Sequence, residues 1–139
     1  MKTIYILCIT FGLLYAQTYK EFAVEYGYET DYATAYTKAK KEHKKLLLIT
    51  ISNYCPWCKK LENRVLRSNE VSKNVQKDFI GVILNKDIDT IEQRFITNIV
   101  PMSYIIEPQT NDIIKKRAGY QKKSDFLYFI KMQKQGLGR

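Results

Sequence analysis

The chain has 139 residues, a length that suits one domain built around a single hydrophobic core. Its 23 Lys and Arg outnumber its 14 Asp and Glu, so the formal net charge is +9. It contains only 3 Cys, whereas small secreted folds that are held together by disulfides carry about four or more.

The first seventeen residues, MKTIYILCITFGLLYAQ, have the layout of a secretory signal peptide. Lys2 precedes an apolar run that ends at the small residue Ala16, and polar Gln17 follows. The run is shorter than the roughly 20 apolar residues of a membrane-spanning helix. We expect cleavage near Ala16, export of the protein, and loss of Cys8 with the leader. The alternative is a buried N-terminal strand or helix.

Two elements precede the first central strand. Residues 17–28 place aromatic side chains in a partly alternating pattern, which predicts an extended arm or edge strand. Residues 30–44 have Tyr32, Tyr36 and Ala39 on one helical face, which predicts a helix.

The densest basic run, KAKKEHKK at residues 38–45, falls at the end of this predicted helix. Basic segments can bind nucleic acid or anionic membranes. Here the lysines lie between apolar residues at helical spacing, and an exported protein rarely meets nucleic acid. We therefore interpret the run as a solvated helix face and expect no nucleic-acid partner.

The remaining elements follow from apolar runs, turn residues and helical spacing. KLLLITI at residues 45–51 is a continuous apolar run, typical of a strand covered on both faces. Pro56 suits the first turn of a helix that continues through Leu61 and Val65, and Ser68 can cap a further helix. A buried strand is predicted at residues 79–84, followed by a helix at 88–97 with Ile88, Ile91 and Phe95 on one side. Residues 103–107, a turn at 108–112 and the segment IIKKRA then predict a hairpin. An amphipathic helix is predicted at residues 124–133.

Cys55 and Cys58 lie three apart in CPWC, between the first central strand and the next helix. The spacing fits a redox disulfide, half of a metal site or a structural link. A helix N-terminus favours a nearby anion, so it stabilises a thiolate at Cys55, and Lys59 and Lys60 add a smaller contribution. Cys58, one turn further along, can reach the first sulfur.

Two classes of function other than disulfide exchange stay open. The two thiolates can hold Cu(I) or Zn²⁺, although a closed four-ligand zinc site is not expected because the region adds only Met102 and the single histidine is distant. Two-coordinate Cu(I) is harder to exclude, since soft thiolates favour it. The other class is a non-catalytic binding domain, in which the two cysteines of CPWC would have no chemical function.

NYCPWCKKLE, followed by NIVPMSYII, resembles the thioredoxin superfamily, in particular its exported thioredoxin-like proteins and the C-terminal domain of the periplasmic disulfide-reductant transporter. The resemblance covers residues 30–134. It implies an α/β thioredoxin fold, a central mixed β-sheet flanked by helices, and a thiol–disulfide oxidoreductase without a bound cofactor. It also implies that Cys55 is the attacking cysteine and Cys58 the resolving cysteine.

The resemblance extends to five further residues. Pro56 and Trp57 match the dipeptide that tunes the reduction potential. Pro101 matches the cis-proline beside the active site, and Val100 matches the residue whose backbone pairs with a bound substrate chain. Gly119 matches a glycine that follows the terminal hairpin.

Two residues depart from the thioredoxin pattern. Ile49 occupies the position of a buried acid that helps to move the proton of the resolving cysteine. Pro56 replaces a glycine, as it more often does in oxidising relatives. These differences leave the direction of electron flow open.

We therefore expect a monomeric periplasmic thiol–disulfide oxidoreductase that leans towards reduction or general exchange. Its expected partners are proteins with disulfides or thiols and a membrane or periplasmic redox partner. The expected layout is a signal peptide at residues 1–16, an N-terminal arm at 17–29, a thioredoxin-like domain at 30–134 and a flexible tail at 135–139.

Overall fold

The computed structural model describes residues 18–132. The signal peptide expected at residues 1–16 and the tail expected at 135–139 lie outside this part of the chain. None of the helices within residues 18–132 combines the length and the apolar character that crossing a membrane requires.

Within residues 18–132, four strands form the central sheet, and the first two follow continuous apolar runs of the sequence. They are β1 Lys45–Ile51, β2 Phe79–Asn85, β3 Met102–Glu107 and β4 Asp112–Ala118. Their order across the sheet is β2-β1-β3-β4. β1 runs parallel to β2 and antiparallel to β3, and β3 runs antiparallel to β4, so the sheet is mixed. The predicted first strand and the predicted hairpin are confirmed.

Helices cover both faces of this sheet. They are α1 Tyr19–Glu25, α2 Tyr32–Glu42, α3 Pro56–Leu61, α4 Asn69–Asp78 and α5 Lys123–Lys131. On one face, α2 packs Ala35 and Ala39 against β1 side chains such as Leu48. Residues of α1, α3, α4 and α5 share the core on the opposite face, where β1 contributes Leu47 and Ile49. The expected α/β architecture with a mixed sheet between helices is confirmed.

The extended conformation predicted for residues 17–28 is wrong, because most of this segment forms α1. Phe22 and Ala23 are buried in the core, and the Glu21 backbone N–H donates to the Thr18 hydroxyl, which caps the helix at 3.4 Å. The segment carries a helical pattern as well as the aromatic alternation, since Phe22 and Ala23 follow Tyr19 at the helical spacing of three and four residues.

The helix predicted for residues 88–97 is also wrong, since only a short 3₁₀ turn forms at Gln93–Phe95. Phe95 is buried as expected, but Ile88 is 61% exposed. Asp89 accepts a hydrogen bond from the Asn85 backbone N–H at 2.7 Å. Asp and Asn side chains that bond to nearby backbone in this way favour turns over helices, and here they fix a loop.

The helical region after CPWC differs from the prediction in two details. α3 begins at Pro56 as expected but ends at Leu61, and a π-helical turn, Glu62–Leu66, carries the buried Val65. Ser68 precedes α4, yet its side chain makes no capping hydrogen bond.

Candidate active site

Cys55 and Cys58 form a disulfide at the point where the chain leaves β1 and enters α3. Cys55 is the N-cap residue with extended backbone, and the fixed φ of Pro56 suits the first helical position. The Cys58 backbone N–H donates to the Cys55 sulfur at 3.1 Å. Cys55 is half-buried, whereas Cys58 is only 6% exposed. An incoming molecule therefore meets the Cys55 sulfur first.

This arrangement suits the reduced state of Cys55 as a thiolate. The Cys58 N–H, which donates a hydrogen bond to the Cys55 sulfur, is one of the backbone donors that a helix N-terminus leaves without a partner inside the helix. A donor aimed at sulfur stabilises negative charge there, and the helix dipole adds to the effect. The geometry therefore supports nucleophilic attack by Cys55 on a disulfide.

The residues just before Cys55 are held by the loop that follows β2. The Asn53 backbone N–H donates to the Asp87 carboxylate at 2.7 Å, and the Asn85 side-chain amide donates to the Asn53 side-chain oxygen at 2.9 Å. Tyr54 then takes a left-handed φ of 53° and points a fully exposed side chain into solvent. The loop fixes the approach to Cys55 and leaves Tyr54 free for contacts with another molecule.

Sequence reasoning missed Asn85 and Asp87, although a signal for them was present. β1 and β2 are parallel neighbours, so the residues that follow the two strands meet at one sheet edge. Polar residues directly after β2 therefore lie close to the residues that follow β1, which include Cys55.

Val100 and Pro101 lie beside the disulfide, joined by a cis peptide bond as the resemblance implies. The Val100 carbonyl oxygen is 3.9 Å from the Cys55 sulfur. The Pro101 carbonyl accepts a hydrogen bond from the Gly119 N–H at 2.8 Å, and Gly119 has a left-handed φ of 83° that favours glycine. The structure thus brings the predicted substrate-binding pair next to Cys55, and their role in binding stays a prediction.

Trp57 is partly exposed and partly packed against a neighbouring ring. Its ring is 55% exposed, and its centre lies 5.9 Å from that of Tyr120. The Lys60 ammonium lies over both rings, 4.8 Å from the centre of Trp57 and 4.9 Å from that of Tyr120. Pro56 beside it is exposed. The influence of Pro56 and Trp57 on the reduction potential stays a prediction.

The position of the missing acid, Ile49, is fully buried in the core. A carboxylate nevertheless lies near the cysteines, because Glu62 and both cysteines line one cavity of about 810 Å³. Glu62 is 7% exposed and accepts hydrogen bonds from Arg67 at 3.0 Å and Lys59 at 3.3 Å. Sequence reasoning missed Glu62, although its spacing of four from Cys58 places both on one side of a helical segment.

The metal-binding alternative rests on the cysteine pair. Within residues 18–132, no group of three or more His, Cys, Asp and Glu side chains is arranged to hold a metal ion. The reduced pair offers two thiolates, which are the ligands that Cu(I) prefers.

Residues 28–108 match the family model described as Thioredoxin-like. No curated protein sequence shows significant similarity to the chain.

Solved structures share the fold over most of their length. A thioredoxin from Thermus thermophilus matches with a TM-score of 0.66 and 19% identity over 75% of this chain and 84% of that one. A DsbH oxidoreductase matches with a TM-score of 0.60 and 19% identity over 76% and 81%. The oxidised C-terminal domain of Neisseria meningitidis DsbD matches with a TM-score of 0.61 and 17% identity over 72% and 90%.

Proposed function

The chain belongs to the thioredoxin-like family and has thiol–disulfide oxidoreductase chemistry at its Cys55–Cys58 pair. We propose that it is an exported enzyme that exchanges disulfides with partner proteins. The observation that carries this proposal is the unequal setting of the two sulfurs. Cys55 is accessible and accepts a backbone N–H, whereas Cys58 is buried within the first turn of α3.

The reaction follows from this asymmetry. The Cys55 thiolate attacks one sulfur of a partner disulfide, the partner's S–S bond breaks, and the other partner sulfur leaves and takes up a proton. Cys58 then loses its proton and attacks the Cys55 sulfur of the mixed disulfide. The Cys55–Cys58 bond forms, the second partner sulfur leaves as a thiol, and two electrons have passed to the partner. The reverse sequence oxidises a dithiol.

Binding of a partner chain needs a fixed track beside Cys55. We place this track at Val100 and Pro101, because the Val100 carbonyl lies 3.9 Å from the attacking sulfur. An extended segment can pair with the Val100 backbone as an added strand. Cys55 would then meet a partner sulfur whose approach is set by the backbone of its own chain.

Export rests on residues 1–16, whose charge and apolar run have the layout of a signal peptide. We place the mature enzyme in the periplasm, as a monomer that meets a membrane or periplasmic redox partner. Protein recovered from the cell envelope is expected to have an intact mass that begins near Gln17. A full-length chain recovered from the cytosol would remove export from the proposal.

The proposed direction is reduction or general exchange, supported by the likeness to a thioredoxin and to the C-terminal domain of DsbD. The test is the reduction potential of the Cys55–Cys58 pair, measured against a glutathione or dithiothreitol buffer. A reductase is expected near the value of about −270 mV that thioredoxin has, and a strong oxidant lies near about −120 mV. A potential at the oxidising end would reverse the proposed direction.

A further inference from the structure

Trp57, Lys60 and Tyr120 form a surface beside Cys55, which we call the aromatic–lysine platform. The two rings lie 5.9 Å apart, and the Lys60 ammonium lies within 5 Å of the centre of each. A cation over two aromatic faces is attracted by both, so its position is restricted before any partner arrives.

Trp57 places the platform in the first turn of α3, which begins directly after the N-cap residue Cys55. Cys55 caps α3, and Trp57 and Lys60 follow at helical spacing, so the two lie on one side of the helix. Helical side chains lean towards the N-terminus, which here is the end that holds Cys55. Tyr120 is next to Gly119, which is hydrogen-bonded to Pro101 on the other flank of Cys55. A chain that lies along Pro101 is therefore near the segment that carries Tyr120, one of the two rings of the platform.

Lys60 is available for an external anion. Within residues 18–132 it makes no ion pair, whereas its neighbour Lys59 is paired with Glu62 at 3.3 Å. The two segments that supply the platform, residues 55–61 and 113–124, contain Lys and Arg but no Asp or Glu. These two segments therefore contribute only positive charge, with Glu62 and Asp125 following them in the chain.

The cavity beside the cysteines differs from the platform in the charged residues that line it. There the cavity beside the cysteines is lined by Glu62 with its partner Lys59 and by Asn53 and Asn85, and Asp87 accepts a hydrogen bond from the Asn53 backbone. Charge around Cys55 is thus unequal, because Lys60 makes no ion pair within residues 18–132, whereas Glu62 on the cavity side is paired with Lys59 and Arg67. A bound segment of a partner chain is favoured in the orientation that puts its own negative charge over the platform.

We propose that Lys60, held by Trp57 and Tyr120, selects partner proteins that carry Asp or Glu beside the cysteine under attack. The occupant of the platform is an extended acidic segment of the partner. Its carboxylate pairs with the Lys60 ammonium, and its side-chain carbons pack on the two rings. Lys60 is thus a specificity-determining residue, and the inference rests on the proposed exchange with protein disulfides.

The test uses disulfide-bonded peptides of one sequence in which the residue beside the cysteine is Glu, Gln or Lys, placed before the cysteine in one set and after it in another. The measurement is kcat/KM for reduction by the dithiol form of the full-length protein. The Glu peptide is expected to react about three- to tenfold faster than the Lys peptide in at least one set. Lys60→Gln should remove this preference, and Lys60→Glu should reverse it.

The matched control is Lys41→Gln, which removes the same charge from an exposed position on α2, on the other face of the sheet. It is expected to keep the wild-type preference. Each comparison is a ratio of rates within one variant, so partial loss of folded protein cancels.

Equal rates for the three peptides, or a preference that survives Lys60→Gln, would overturn the role of Lys60 and leave disulfide exchange intact. Lack of reaction with every peptide would overturn the proposed function together with this inference.

Discussion

Cys58→Ser is expected to accumulate as covalent complexes with its partners, joined through Cys55, and to lose steady-state exchange by about 10³-fold or more, as loss of a catalytic nucleophile does. Cys55 keeps its accessible position and the backbone N–H at 3.1 Å, so it still attacks partner disulfides. A serine hydroxyl cannot break the resulting mixed disulfide, and the complex persists. Electrophoresis without reductant, after acid quenching of free thiols, detects these complexes, and mass spectrometry identifies the joined cysteine.

Cys55→Ser is the matched control because it removes one sulfur atom from the same disulfide. This variant is expected to form no complexes, since the remaining thiol of Cys58 is 6% exposed. Complexes of equal abundance in both variants would show that either sulfur can attack. Normal turnover by Cys58→Ser would show that the partner's own thiol resolves the intermediate, and the role of Cys58 would be withdrawn.

The strands of the sheet could be predicted because each of them corresponds to a local pattern in the sequence, either an apolar run or one half of a hairpin. Residues 45–51 are a continuous apolar run, and the observed β1 has the same bounds. The two errors have a common physical cause, which is competition between patterns within one segment. In residues 17–28 an aromatic alternation overlies the helical spacing of Phe22 and Ala23. In residues 88–97 the apolar spacing was outweighed by the Asp89 side chain, which accepts a hydrogen bond from the Asn85 backbone N–H.

The site could be predicted where its residues are neighbours in the sequence, but not where they come from distant segments. Cys55, Pro56 and Cys58 are contiguous, so their place at a strand-to-helix junction could be deduced from the sequence. The contacts that surround them join distant segments, since Tyr120 lies against Trp57 and the loop after β2 holds Asn53. A single sequence shows these residues but not their pairing, which depends on the mixed order of the strands.

The burial of the two sulfurs leads to the last expected result. In the reduced protein, Cys55 should be alkylated before Cys58 when the reagent is limiting, by about tenfold or more, because a thiolate at a helix N-terminus is the reactive species. Cys55 is the half-buried N-cap residue, whereas Cys58 lies one turn inside α3 with 6% exposure. Peptide mapping after a short exposure to iodoacetamide measures the two yields.

The same measurement in denaturant supplies the control for intrinsic reactivity. Unfolding removes both the burial of Cys58 and the backbone donor at Cys55, so the two yields should become nearly equal. The ratio in the folded protein divided by the ratio in the unfolded chain then isolates the effect of the fold. Preferential labelling of Cys58 in the folded state would exchange the roles of the two cysteines. Mixed disulfides would then form on the buried sulfur, and the position of Val100, 3.9 Å from the Cys55 sulfur, would lose its proposed link to substrate binding.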